Sequence, residues 1–137
     1  MEIFRHEKYD VWRISVEFAV DIAKICSKFP NIEKYSLGEQ LRRAAVAIPA
    51  NIAEGTGRNS DQDFARFLSI AYGSLMEALT HIEIARKLGY VDEMVNEKLR
   101  ANALQIAKML SGLRNKLKGK KPFAPSPQPS ALSPKPL

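Results

Sequence analysis

Apolar residues recur every three or four positions through most of this 137-residue chain, and no stretch alternates with the two-residue period of a half-buried strand. Phe64, Leu68, Ala71, Leu75, Ala78, Ile82 and Ala85 form one such row, and Leu99, Ala103, Ile106, Leu110, Leu113 and Leu117 form another. Leu37, Leu41, Ala44, Ala45, Ile48 and Ile52 supply a third, and Trp12, Val16, Ala19, Ala23 and Cys26 a fourth. This a-and-d spacing is the pattern of long helices packed nearly parallel to one another. Punctuation divides the rows. The first helix is expected from about Lys8 to Phe29, ending at Pro30. The second should start at Ser36, where Ser36-x-x-Glu39 reads as a capping box, and end near Gly55. The third follows Ser60, with Asp61 and Asp63 in its first turn, and stops at Gly89; the fourth begins at Asp92 and fades by Gly119. Loops this short force antiparallel neighbours. The predicted fold is all-α, an antiparallel up-down-up-down four-helix bundle over residues 1–118, with residues 119–137 as a separate tail.

The first helix carries more apolar surface than one bundle needs. Beside its seam lie Val11, Ile14, Phe18, Ile22, Ile25 and Phe29, on a second face about 120° away at about 100° per residue. An apolar excess of this kind marks an interface, so an oligomer is expected, with Phe18 and Ile22 at or near the subunit contacts. The alternative is that the second helix covers both faces by itself. That second helix is rich in alanine and holds Pro49 in its interior, which favours close approach by neighbouring helices on more than one side. Arg43, Ala47, Ala50 and Glu54 share one of its faces, where small residues between two charges read as a groove for a neighbouring helix.

The words RRAAVAIPANIAEG, from Arg42 to Gly55, and IAYGSLMEA, from Ile70 to Ala78, resemble the bacterial four-helix bundle family named after proteins encoded in intervening sequences of 23S ribosomal RNA genes. The resemblance runs from about Phe4 to about Lys118. It implies the same bundle fold, assembly into a homopentamer around a central channel, and no established biochemical activity. More distantly, the chain is similar to the pentameric accessory protein of diversity-generating retroelements, which binds a reverse transcriptase and nucleic acid. Asn51, Glu54 and Arg58 fall on or just after the family's NIAEG word, which makes them recurrent positions of unassigned role.

Charge is divided unevenly along the chain. Residues 1–97 hold 12 Lys and Arg against 15 Asp and Glu, a net −3, whereas residues 98–137 hold nine Lys and Arg and no acid, a net +9. A cationic end suits a polyanion, because neutralising phosphates releases counterions. Arg114, Lys116, Lys118, Lys120 and Lys121 are the expected RNA or DNA contacts, although cations there also complement the negative end of the fourth helix. The tail KGKKPFAPSPQPSALSPKPL carries six of the eight prolines and is expected to stay outside the bundle as a disordered tether.

Chemistry finds little purchase in this sequence. One cysteine, Cys26, forms no internal disulfide, and with only His6 and His81 there is no metal-ligand spacing. His81 falls among polar positions and is expected at the surface. Gly55-Thr56-Gly57-Arg58 lacks the Lys-Ser/Thr of a phosphate-binding loop and reads as a helix stop. The N-terminus has no apolar signal core and no apolar run is long enough to span a bilayer, so the expected location is the cytoplasm, away from membranes. The expected function is that of a non-enzymatic oligomeric bundle, without cofactor, acting as a nucleic-acid-binding accessory or scaffold. The alternative is a protein–protein interaction module using the alanine-rich face or the proline-rich tail.

Overall fold

A computed structural model describes residues 2–119 of the chain. Four long helices form the bundle: α1 (Asp10–Cys26), α2 (Leu37–Thr56), α3 (Asp61–Lys87) and α4 (Glu93–Leu117). Among the described residues there is no strand. A 3₁₀ turn at Arg5–Lys8 precedes α1, and a single helical turn at Asn31–Lys34 fills the α1–α2 connection. None of these helices is long and apolar enough to cross a membrane. The expected Pro/Ser/Lys-rich tail lies outside the described residues.

The helix ends show which punctuation acts. Ser60 accepts a hydrogen bond from the Asp63 amide at 3.1 Å, and the Asp92 carboxylate accepts one from the Val95 amide at 2.9 Å. At the end of α3, Gly89 adopts φ 87°, and the Tyr90 and Gly89 amides donate to Ala85 and Arg86 carbonyls at 2.9 and 3.0 Å. This is a Schellman stop, which needs a left-handed residue that glycine supplies without steric cost. Ser36 departs from expectation. Its side chain accepts no capping hydrogen bond; the hydroxyl donates instead to Glu33 Oε1 at 2.9 Å, within the one-turn helix, and Glu39 faces Arg43. The first helix is also shorter than its periodicity suggests. Tyr9 is extended, so the preceding 3₁₀ turn is not continuous with α1, and Phe29 is buried beyond the helix end, where its ring meets Tyr90 at 5.4 Å.

Every residue of the α3 seam is buried, as are Leu99, Ala103, Ile106 and Leu110 of α4, while Leu113 and Leu117 are partly covered near its end. Leu41, Ala44, Ala45, Ile48 and Ile52 of α2 complete the centre. In α1 the inward stripe is Val11, Ser15, Phe18, Ile22 and Cys26, whereas Trp12, Val16 and Ala19 are half-buried and Ala23 is exposed. Phe18 and Ile22 are 1% and 0% exposed within one protomer. The expected subunit contacts at these two positions are therefore corrected: both are core residues and present no surface to a neighbour. Volume explains the rotation. Phe18 and Ile22 fill the space between four helices better than Ala19 and Ala23 can. Ser15 follows them inward because its hydroxyl donates to the Trp12 carbonyl at 3.0 Å, which removes the cost of burying it.

Among neighbouring long helices, α2 and α3 share the most extensive contact, and α1 and α4 the least. Gly55 accounts for the first. A Cβ there would stand 2.8 Å from Phe64 Cδ1 and 2.9 Å from Phe67 Cβ, so only glycine permits the approach. Gly55→Ala is expected to cost about 1–3 kcal/mol by overpacking, read as a lowered Tm in thermal denaturation. The same change at Gly73, where an added Cβ meets nothing within 4 Å, should be neutral or stabilising. Pro49 is buried in an unbroken α2. Arg86 holds Glu83, three residues earlier in α3, at 2.9 Å and, across the α3–α4 turn, Glu93 at 3.2 Å; its hydrogen bond pulls the Glu83 carboxyl below the usual range.

Candidate nucleic-acid interface

One end of the bundle gathers the start of α1, the end of α2, the start of α3 and the end of α4. Cations from distant parts of the chain meet there. Arg5 donates to the Thr56 carbonyl at 2.9 Å, capping the end of α2, and its guanidinium lies 5.2 Å from the Phe64 ring centre. Phe4 stacks on His6, and His6 meets Trp12 edge-on at 4.7 Å, so the segment carrying Arg5 is anchored by aromatic contacts. Arg58 and Arg66 both lie over the Phe67 ring, at 4.7 and 4.6 Å from its centre. Arg114 reaches back from α4 to donate to Ser69 Oγ at 3.4 Å, over Tyr72.

Between the α2–α3 turn and the end of α4 is an open cleft of about 670 Å³, lined by residues that include Arg58, Asn59, Gln62, Asp63, Arg66 and Lys118. Asp63 is the only acid among its lining residues. Its carboxylate binds Arg66 Nε at 3.0 Å and approaches Arg58 Nε at 3.6 Å. Of the cations singled out from sequence, Arg114, Lys116 and Lys118 sit at this end, and Lys120 and Lys121 lie outside the described residues. Arg58, a motif position of unassigned role, belongs with them. Arg66 is an addition that sequence reading missed, because it stands alone in the net-negative part of the chain and only the helix hairpin brings it to Lys118.

The other motif positions have local partners. Asn51 donates from its side-chain amide to the Ala47 carbonyl at 2.8 Å, and Glu54 pairs with Arg58 at 3.4 Å. Arg43 lies 3.8 Å from Glu39, so within one protomer Arg43 and Glu54 each face a residue of the opposite charge four positions away. Arg43, Ala50 and Glu54 are exposed and Ala47 is half-covered, which leaves this face of α2 open.

Among the described residues, the titratable groups elsewhere do not form a reactive constellation. Burial pushes the Cys26 thiol up to about 11, with Arg42 opposing only in part, so it is protonated at neutral pH and a poor nucleophile. His81 is not the surface residue expected. Its side chain is 13% exposed and its ring nitrogens make no hydrogen bond; Glu77 Oε2 lies 3.5 Å from Nε2, close enough for ionic attraction but outside hydrogen-bonding geometry. No group of three or more His, Cys, Asp or Glu among the described residues could hold a metal ion.

These features define a small antiparallel four-helix-bundle protein with a cationic end. The chain belongs to the 23S rRNA-intervening sequence protein family, which matches residues 7–112. It is also similar to the crystal structure of a protein of unknown function from the S23 ribosomal protein family of Bacteroides thetaiotaomicron VPI-5482. The two share 29% identity with a TM-score of 0.68, covering 73% of this chain and 94% of the other. Among curated proteins, none matches this chain.

Proposed function

We propose that this protein is a non-enzymatic accessory or scaffold that binds nucleic acid through the cationic end of its bundle. The observation that carries this reading is the meeting of Arg58, Arg66 and Lys118 around one cleft, with Arg114 at its edge, although they come from separate helix ends. Bringing like charges together raises the local potential, and a phosphate backbone relieves it while releasing counterions. In the sequence, Lys120 and Lys121 follow within three residues of Lys118. Fluorescence anisotropy with generic RNA and duplex DNA over a salt series tests the reading. Affinity that falls steeply with salt and little with sequence is expected, and absence of binding at low salt overturns it in favour of the protein-interaction module.

The reading includes assembly into a homopentamer. Its support in this chain is the apolar surface left outside each protomer, where Val46 on the open side of α2 is 55% exposed beside Arg43 and Ala47, and Val20 of α1 is 46% exposed. Pentameric assembly would also repeat each cationic end five times, multiplying a modest phosphate affinity through multivalency. Light scattering is expected to give the mass of five chains. Val46→Glu should reduce that mass to one chain while the helical circular dichroism spectrum is retained, because the substituted side chain is not part of the core. A wild-type monomer at micromolar concentration would overturn the assembly, and a pentameric Val46→Glu protein would move its interface elsewhere.

A further inference from the structure

Resting on the nucleic-acid reading, we propose that the cleft between the α2–α3 turn and the end of α4 seats a backbone phosphate of a polynucleotide, gripped by the Arg66 and Arg58 guanidiniums with Lys118 opposite. Three cations and a single carboxylate line it. The carboxylate does not cancel the site, because Asp63 engages the Nε side of both arginines, at 3.0 Å for Arg66 and 3.6 Å for Arg58. Arg66 makes no other polar contact among the described residues, so both of its terminal nitrogens remain available to oxygen acceptors. Arg58 commits one terminal nitrogen to Glu54 at 3.4 Å and keeps the other.

The two guanidiniums are also held in place. Both pack over the Phe67 ring, and Phe67 is fixed by the α2–α3 approach that Gly55 permits. Held forks of this kind recognise tetrahedral oxyanions with little further loss of side-chain freedom. Asp63 is accordingly a positioning residue. Lys118, exposed on the other wall, makes no ion pair with a described residue and contributes an ammonium.

The ligand is a phosphate within a strand rather than a base. Phe67, the aromatic ring beneath the two arginines, is 6% exposed and offers no open face for base stacking. The cleft is open, at about 670 Å³, and Arg114, hydrogen-bonded to its lining residue Ser69, lies at its edge to meet a neighbouring phosphate. Recognition should therefore be independent of sequence.

The test compares wild type with Arg58→Gln/Arg66→Gln and Arg58→Lys/Arg66→Lys. Each is titrated with a labelled RNA strand across a salt series, and backbone amide shifts are followed with RNA and separately with inorganic phosphate. The glutamine pair is expected to weaken RNA binding about tenfold or more and to flatten the salt slope by about 1–2. The lysine pair should keep the slope yet lose affinity, because charge survives and the fork does not; it also serves if the glutamine pair fails to fold. RNA should shift the amides of Asn59 and Gln62. Unchanged RNA affinity in both variants overturns this site while leaving the broader nucleic-acid reading in place. Failure of wild type to bind RNA or DNA at low salt overturns both, and amide shifts with inorganic phosphate but none with RNA overturn the assignment to a polynucleotide.

Discussion

Ile22→Asp is expected to unfold the bundle. Ile22 is 0% exposed, on the inward stripe of α1 with Phe18 and Cys26, and belongs to the hydrophobic core cluster. A carboxylate placed there loses its hydration and gains no partner, at a cost of several kcal/mol that comes on top of the lost burial of about 2 kcal/mol for isoleucine. A domain of this size has roughly 5–15 kcal/mol in hand, so most or all of it is consumed. Circular dichroism should show loss of helix, or a Tm lowered by well over ten degrees. The matched change Val20→Asp, at a position 46% exposed two residues earlier, should leave the helical signal intact. An Ile22→Asp protein with wild-type Tm would show that α1 is rotated from its described orientation, with the Trp12, Val16 and Ala19 face turned inward after all. At a subunit contact, where the sequence pattern alone places Ile22, the same charge would dissolve the assembly before unfolding the bundle.

Neutralising the cationic end is expected to have the largest effect on binding. With Arg114, Lys116, Lys118, Lys120 and Lys121 all changed to Gln, the salt slope on duplex DNA should flatten by up to about 4.5, because each phosphate contact contributes about 0.9. At about 0.1 M salt that is a loss on the order of a thousandfold or more, equal for unrelated sequences. Folding should change little. Lys116 and Lys118 are exposed, and Arg114 gives up one long hydrogen bond to Ser69 and its contact with Tyr72. A four-lysine variant that keeps Arg114 separates any structural contribution. Anisotropy titrations at several salt concentrations are the measurement, and a neutralised protein that binds like wild type would remove these five cations from the mechanism.

The legibility of the site was uneven for a physical reason. Arg114, Lys116 and Lys118 stand out because nothing acidic follows Glu97. Arg66 does not stand out, since Asp61 and Asp63 precede it and hide its charge in any count along the chain. Its proximity to Arg58 follows from the α2–α3 turn, and its proximity to Lys118 from the return of α4. Gly55 is similar. As a residue after a helix row it reads as a stop, but it is the last full turn of α2 that uses it, as the point where two helices touch. His81 looked polar and exposed by its spacing, yet its ring is largely covered within the fold.

What the sequence by itself determined is what depends on neighbours along the chain. The Ser60 and Asp92 caps, the Gly89 stop, the α3 and α4 seams and the division of charge all follow from residues within a few turns of one another. What only the tertiary structure decided is rotation and meeting. Two apolar stripes about 120° apart satisfy the same helical period in α1, so period cannot choose between them. The choice falls to Phe18 and Ile22 because close packing of four helices rewards their volume, while the hydroxyl of Ser15 is carried inward by a bond to its own backbone. Likewise Ser36 gives its hydroxyl to Glu33 rather than to α2 because an extra helical turn, started after Pro30, brings that carboxylate within 2.9 Å. Local pattern sets which residues can face a core or a partner, and packing energy summed over all four helices selects which of them do.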